Sequence, residues 1–277
     1  MSGTLFVVAT PIGNLEDLTP RARQTLASVD LVAAEDTRHT RRLLSSFGAK
    51  AALMALHDHN ESQALHGVID ALESGKDVAL VSDAGTPLVS DPGYRLVAAA
   101  HENGIRVEPV PGVSALTAAL SVAGLPTDRF SFDGFPPPRR AARRKWLQAL
   151  ADETRTMVFY ESVHRIGASL DDMVGAFGAD RPAFIGRELT KLHEQSVNAT
   201  LGELLRQVDD GRIVGKGEFV VVVGGAGEPA TASIDADRLL DILADKLSAK
   251  DAAQVAAEIT GQKKNALYER LVRLKDR

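Results

Sequence analysis

Apolar and polar positions alternate between two periods along the first 125 residues. Short β-rich runs at 5–9, 31–34, 52–56, 78–81 and 106–110 are each followed by a segment with helical spacing. After the first run Thr19 reads as an N-cap with Pro20 at the first helical position, and Ala22, Leu26 and Val29 recur at helical intervals. The segment 40–47 closes at Gly48. Leu65, Val68, Ile69 and Leu72 share one face and stop at Gly75. Asp91-Pro92 opens a helix containing Leu96, Val97 and Ala100, and 114–122 is the last of this half. Five strand–helix units in sequence predict a largely parallel sheet covered by helices.

A second α/β unit follows. Strands are expected at 128–133, 156–160, 183–186 and 219–223, and helices at 141–150, 165–177 and 201–208, the last capped by Thr200. Residues 226–233, Ala-Gly-Glu-Pro-Ala-Thr-Ala-Ser, read as a linker. Beyond it only helices are expected, at 237–246, 249–259 and 264–274, with Gly261 in the second turn. That pattern fits a helix-turn-helix or, equally, a helical hairpin packed on the body. The expected domains are 1–125, 126–227 and 233–277. The predicted fold class is two α/β domains with a cleft between them, plus a small all-helical C-terminal domain.

The expected strand ends carry the chemistry. They read Thr10-Pro11-Ile12-Gly13-Asn14, Glu35-Asp36, His57-Asp58-His59-Asn60, Ser82-Asp83-Ala84-Gly85-Thr86-Pro87 and Pro111-Gly112. Ligands of open α/β sheets sit outside the carboxyl ends of the strands. Polar loops are ordinary there, but five together, with acidic pairs and histidines, point to a crevice site. Gly85 allows close backbone approach to a ligand, and Asp91-Pro92-Gly93 places free helix N–H groups nearby. The phosphate-binding signature G-x-x-x-x-G-K-[ST] and the zinc signature H-E-x-x-H are both missing. Gly225-Ala226-Gly227 leads into a linker rather than a helix, so an ordinary dinucleotide-binding fold is disfavoured. His57, Asp58 and His59 could form a metal cluster, but neighbouring residues on a strand point to opposite faces, which argues against a metal.

Composition narrows the classes. The 277 residues are 44% hydrophobic and 25% charged, which excludes disordered and low-complexity architectures. Cysteine is absent, so disulfides, Cys-ligated metals and a thiol nucleophile are excluded, and a reducing cytoplasm fits. No leader or membrane segment is expected, and the sequons at Asn60 and Asn198 carry no expectation of glycosylation. The net charge of −5 argues against a general nucleic-acid coat. Yet Arg139, Arg140, Arg143, Arg144 and Lys145 form a basic run at the start of a helix, where cations oppose the helix dipole. Residues 262–277 hold six Lys and Arg, Lys263 and Lys264 among them, against two acids. Both segments are expected to meet an anionic partner, although a solvated helix face is the ordinary reading of a charge run.

The ordered set of Pro11-Ile12-Gly13-Asn14-Leu15, Ala34-Glu35-Asp36-Thr37-Arg38, Leu56-His57-Asp58-His59-Asn60, Ser82-Asp83-Ala84-Gly85-Thr86-Pro87, Asp91-Pro92-Gly93-Tyr94, Phe159-Tyr160-Glu161-Ser162, Arg187-Glu188-Leu189-Thr190-Lys191 and Lys263-Lys264-Asn265-Ala266-Leu267-Tyr268 resembles the tetrapyrrole (corrin/porphyrin) methylase family, in its branch that acts on ribosomal RNA. The resemblance spans about residues 4–275. It implies S-adenosyl-L-methionine held in a cleft between two α/β domains, a homodimer, and 2′-O-methylation of a cytidine in the decoding centre of small-subunit (16S) rRNA. The implied cofactor residues are Ile12, Asp83, Gly85, Thr86, Val89, Ser114, Ala115, Glu161 and Glu188. Thr86 stands where tetrapyrrole-specific relatives often carry an acid, and Pro11-Ile12-Gly13 replaces their Gly-x-Gly, which weakens a tetrapyrrole substrate.

A ribose hydroxyl needs a base. Glu35, Asp36, His57, Glu161 and Glu188 are the candidates, and the sequence does not rank them. Arg38, Arg165, Arg187 and Lys191 suit phosphate contact, because cationic forks match phosphate oxygens. Two rival readings stay open: C-methylation of a tetrapyrrole precursor, and a non-catalytic RNA-binding ribosome-assembly factor.

Overall fold

The computed structural model describes residues 2–57, 61–227 and 236–275. Asp58, His59 and Asn60, and most of the expected linker, lie outside the described residues. The chain divides into two compact units, Met1–Gly225 and Ala226–Arg277.

The first unit contains two five-stranded sheets. Strands β1 (Thr4–Val8), β2 (Leu31–Ala34), β3 (Ala52–Ala55), β4 (Val78–Val81) and β5 (Arg106–Val110) lie in the order β3-β2-β4-β1-β5. All four pairings are parallel. Val78, Ala79, Leu80 and Val81 are buried on both faces, which is why β4 reads as an unbroken apolar run. One face is covered by α1 (Pro20–Ser28) and α2 (Thr37–Ser46), through Ala22, Leu26, Leu43 and Leu44. The other is covered by α3 (Glu61–Glu73) and α4 (Tyr94–Glu102), through Val68, Leu72, Leu96 and Ala100. Thr19 caps α1 by accepting the Ala22 N–H at 3.1 Å.

The second sheet holds β6 (Phe130–Gly134), β7 (Thr156–Ser162), β8 (Pro182–Arg187), β9 (Gln195–Thr200) and β10 (Glu218–Val223), in the order β6-β7-β10-β8-β9. Only β6 and β7 run parallel; the other pairings are antiparallel. One face packs on α6 (Arg140–Ala149), α7 (Ile166–Phe177) and α8 (Leu201–Asp209), around Phe159, Leu170, Leu204 and Phe219. The opposite face packs on α5 (Ala115–Val122). Val158, Phe184, Val220 and Val222 meet Ala119, Leu120, Ala123 and Ile12 there. This shared core fixes one sheet against the strand ends of the other, and the cleft opens beside it.

The second unit is α9 (Ala236–Ala244), α10 (Ala249–Thr260) and α11 (Lys264–Lys275) around Leu240, Ala252, Ala253, Ala256, Leu267 and Leu271. Ser248 caps α10 by accepting the Asp251 N–H. Gly261 ends it with φ +70°, a left-handed geometry that glycine adopts without strain. Among the described residues no helix is long and apolar enough to cross a membrane.

Candidate active site

Because β1 and β4 are neighbours, the loops that leave them meet. Thr10 and Gly85 exchange backbone hydrogen bonds of 2.8 and 3.0 Å. Gly85 has φ +86°, and a Cβ there would lie 3.3 Å from Ile12 Cγ2, so both conformation and space favour glycine. Thr86 Oγ1 donates to the Val113 carbonyl at 3.0 Å, which ties this loop to the one after β5. Leu88 and Ser90 hold left-handed φ values of +72° and +69°, a strain that the surrounding loop sustains.

These loops form one wall of a cavity of about 370 Å³, contributed by Ile12, Gly85, Thr86, Val89, Ser114 and Ala115. The other wall comes from the second sheet, with Tyr160, Glu161, Gly186, Leu189 and Val220. Seven residues expected at a cofactor therefore share one cavity. Two do not: Asp83 lines a neighbouring cavity, and Glu188 lines neither.

Tyr160 joins the walls. Ser114 stands at the N-cap of α5 but makes no side-chain cap bond. The phenol oxygen of Tyr160 instead accepts the Leu116 N–H at 3.0 Å, satisfying a helix-end donor from the opposite sheet. Phe132 and Phe135 flank the ring edge-on at 4.8 and 5.7 Å, and burial pushes the phenol pKa up. Sequence reasoning gave Tyr160 no role, although it stands in a quoted motif at the end of an apolar run. Asp91, also on the cavity wall, was missed as a site residue in the same way.

The second cavity, about 430 Å³, is lined by Thr10, Pro11, Gly13, His39, Arg42 and Asp83, with Leu15 at 55% exposure. It shares Ile12, Ala84, Lys191 and Glu218 with the first. Asp83 Oδ1 accepts the Asp36 N–H at 3.0 Å. His39 and Arg42 lie on exposed turns of α2 that no sequence motif marked.

Several candidate bases are occupied elsewhere. Glu161 is buried, and its carboxylate accepts the Ser162 N–H at 2.7 Å, the Ser169 hydroxyl, and Arg165 at 2.7 Å. Asp36 caps α2 through the Arg38 N–H, and the Arg38 guanidinium holds it well below the usual carboxylate range. Burial works to raise the Glu188 pKa, but Lys191 at 2.9 Å and the Glu218 N–H outweigh it and hold it low. Glu35 and His57 line neither cavity.

Lys191 bridges Glu188 and Glu218 at 2.9 and 3.0 Å. Burial works against its charge, but the two carboxylates raise its pKa, so it stays a cation. Its stem lies over Gly13, where a Cβ would come within 2.2 Å of Lys191 Cγ. The same loops meet again where the Asn14 N–H donates to Thr190 Oγ1.

Within the basic run on α6 one residue is turned inward and two exposed neighbours reach the same acid. Arg143 is buried and pairs with the fully buried Asp172 carboxylate at 2.7 Å. Arg140 and Arg144 reach the same carboxylate at 3.1 and 3.0 Å, and Arg140 also pairs with Asp171. α7 of the same chain thus supplies an anionic partner to Arg140, Arg143 and Arg144, while Lys145 stays exposed. Arg187 is likewise withdrawn, donating to the carbonyls of Lys216 and His193 from a buried position. Arg165 spends its guanidinium on Glu161 and the Pro136 carbonyl. Arg38 is paired with Asp36 but remains at the surface. Arg139 and Lys263 are exposed, and Lys264 is partly so.

Residues 4–205 match the model of the Tetrapyrrole (Corrin/Porphyrin) Methylases, and 230–275 match that of the RsmI C-terminal HTH domain. Ribosomal RNA small subunit methyltransferase I of Xylella fastidiosa (strain Temecula1) is 52% identical, covering 96% of this chain and 98% of its own. The protein of that name from Escherichia coli O157:H7 is 51% identical, covering 96% and 94%. Uroporphyrin-III C-methyl transferase from Thermus thermophilus, solved with S-adenyl homocysteine, shares the fold at 20% identity and a TM-score of 0.55, covering 80% and 97%. These likenesses extend from the cleft-forming sheets through the terminal helices, and the chain belongs to the ribosomal RNA small subunit methyltransferase I family of tetrapyrrole methylases.

Proposed function

We propose that this chain transfers the methyl group of S-adenosyl-L-methionine to the ribose 2′-hydroxyl of a cytidine in the decoding centre of small-subunit rRNA. The observation that carries the reading is the pair of adjoining cavities. One, about 370 Å³, is largely apolar, carries Asp91, Glu161, Lys191 and Glu218 as its charged groups, and is within the size of small-molecule sites. The other is edged by His39, Arg42 and Asp83. Donor and acceptor sites that share a wall at Ile12 and Ala84 suit a direct transfer. The relatives' names and the solved neighbour with S-adenyl homocysteine support the donor and the RNA.

When bound, S-adenosyl-L-methionine supplies an electrophilic methyl group on a cationic sulfonium. Ile12, Gly85, Thr86, Val89, Ser114 and Ala115 would hold it against the Tyr160 side. In this reading Asp83 takes the proton of the ribose hydroxyl. One of its oxygens is held by the Asp36 N–H, which orients the carboxyl and leaves the other oxygen for the substrate. A positioned base contributes about 10²–10⁴-fold, and alignment of the reactants can supply about 7–11 kcal/mol more. Arg42 and His39 would hold the acceptor's phosphates. Residues 1–125 then carry the acceptor loops, 126–227 close the cofactor cavity, and 233–277 add RNA contacts through Lys263 and Lys264.

The reading also expects a homodimer in the cytoplasm, checked by light scattering and fractionation. The deciding experiment is tritiated methyl transfer to unmodified small subunits, naked rRNA and a porphyrin precursor, followed by nucleoside mass spectrometry. Label on a cytidine ribose is expected. Label on a base, or on the tetrapyrrole alone, would overturn the proposal.

A further inference from the structure

Four charged side chains line the 370 Å³ cavity: Asp91, Glu161, Lys191 and Glu218. Three have ionic partners inside the protein. Glu161 is held by Arg165, and Lys191 joins Glu218 to Glu188. Asp91 differs. Its carboxyl is partly buried, is favoured in its charged form by the Ser82 hydroxyl and is opposed by the like-signed Asp83. Among the described residues no cationic side chain pairs with it.

The backbone holds Asp91 in this position. Leu88 and Ser90 precede it in left-handed conformations, and Gly93 follows with φ +121°. A Cβ on Gly93 would lie 2.9 Å from Leu80 Cδ2, so the turn sits tightly on β4. A partly desolvated carboxylate beside a second carboxylate carries a free-energy cost, and a cation entering the cavity would remove it.

We propose that Asp91 is the counter-ion for the positive charge of the methyl donor in this cavity. The inference rests on the donor reading above. The chemistry recognised is a cationic centre on the methionyl end, which has two sources: the sulfonium and the α-ammonium. A contact to the sulfonium would also aid release, because that charge disappears when the methyl group leaves.

The test is calorimetric titration of the full chain and of Asp91→Asn and Asp91→Glu with three probes. S-adenosylmethionine carries both cations, S-adenosylhomocysteine only the ammonium, and 5′-methylthioadenosine neither. In Asp91→Asn, affinity for S-adenosylmethionine should fall about 10- to 100-fold, the range of a charge-assisted contact. Affinity for 5′-methylthioadenosine should not change. Parallel loss of S-adenosylhomocysteine assigns the contact to the ammonium, and its retention assigns it to the sulfonium. Asp91→Glu should restore part of the loss, and the melting temperature of Asp91→Asn should equal or exceed that of the parent because like-charge repulsion is relieved. Unchanged S-adenosylmethionine affinity in Asp91→Asn, or equal loss of all three probes, would overturn the assignment. A parent protein that binds none of the three would overturn the donor reading itself, and the assignment with it.

Discussion

Replacing Asp172 with asparagine separates two roles for the basic run on α6. The Asp172 carboxylate is fully buried and faces three guanidinium groups within 3.1 Å, those of Arg140, Arg143 and Arg144. In the variant Arg143 keeps its charge at 4% side-chain exposure, with only the carbonyls of Pro138 and Ala168, both at 3.4 Å, as other acceptors. Removing one partner of a buried pair costs about 3–5 kcal/mol, because the remaining charge is uncompensated. Exposed pairs are worth about 0–1 kcal/mol, so Arg140→Ala and Arg144→Ala should be mild. In a unit of this size each kcal/mol moves Tm by about 2–4 °C. Asp172→Asn should therefore melt roughly 6–20 °C lower by circular dichroism, and the two surface variants no more than about 4 °C lower. The double change Arg143→Met with Asp172→Leu should recover most of the loss, since a packed apolar pair can replace a buried ionic one. An Asp172→Asn protein melting within about 2 °C of the parent would refute the scaffold role, given the per-kcal shift above. So would an Arg143→Ala protein of parental stability with weakened RNA binding.

Four further outcomes follow from the site. Tyr160→Phe leaves the Leu116 N–H without its acceptor; it should cost about 1–3 kcal/mol by thermal unfolding and weaken donor binding by calorimetry. Asp83→Asn should lower single-turnover methyl transfer by about 10²-fold or more while donor affinity stays near parental; parental rates would remove Asp83 as the base. The Asp91 pKa is raised by burial and by Asp83, and the other titratable groups on its cavity are Tyr160, Glu161, Lys191 and Glu218. A bound cation stabilises the ionised form, so donor affinity should weaken as pH falls through that raised pKa and stay flat in Asp91→Asn; equal slopes in both proteins would contradict this. Lys263→Ala with Lys264→Ala should reduce the salt slope of RNA binding by about 2, and an unchanged slope would place the contact elsewhere.

The parallel sheet was legible because its central strands are buried, β4 on both faces. The expected 31–34, 78–81 and 106–110 coincide with β2, β4 and β5. Strand β9 was not foreseen. Gln195, Ser196 and Asn198 give it no apolar run, because it is a sheet edge whose outer side needs no core. At the site, residue types were legible and their directions were not. Glu161 reads as a cleft carboxylate, yet Arg165 and Ser169 claim it from the next helix. The partner that turns Arg143 inward lies 29 residues away on α7, beyond any local pattern. His39 and Arg42 were hidden for the opposite reason: on an amphipathic helix they look like ordinary solvated polar side chains, and only the fold brings them to a strand-end cavity.

The inward pairing on α6 changes how an acceptor RNA could be held. Asp171 and Asp172 offset two of the three charges of Arg140, Arg143 and Arg144, which reduces the positive field of α6 at the surface. Among the described residues of the second cavity Arg42 is the cation that remains for phosphate, with His39 also on the lining and Lys191 already shared between two carboxylates. The second unit adds Lys263 and Lys264 on its own surface. Few contacts mean a shallow salt dependence and weak nonspecific affinity, in keeping with a chain whose net charge is −5. Under the proposed function, selectivity would then come from the shape of the cleft more than from the number of charged contacts.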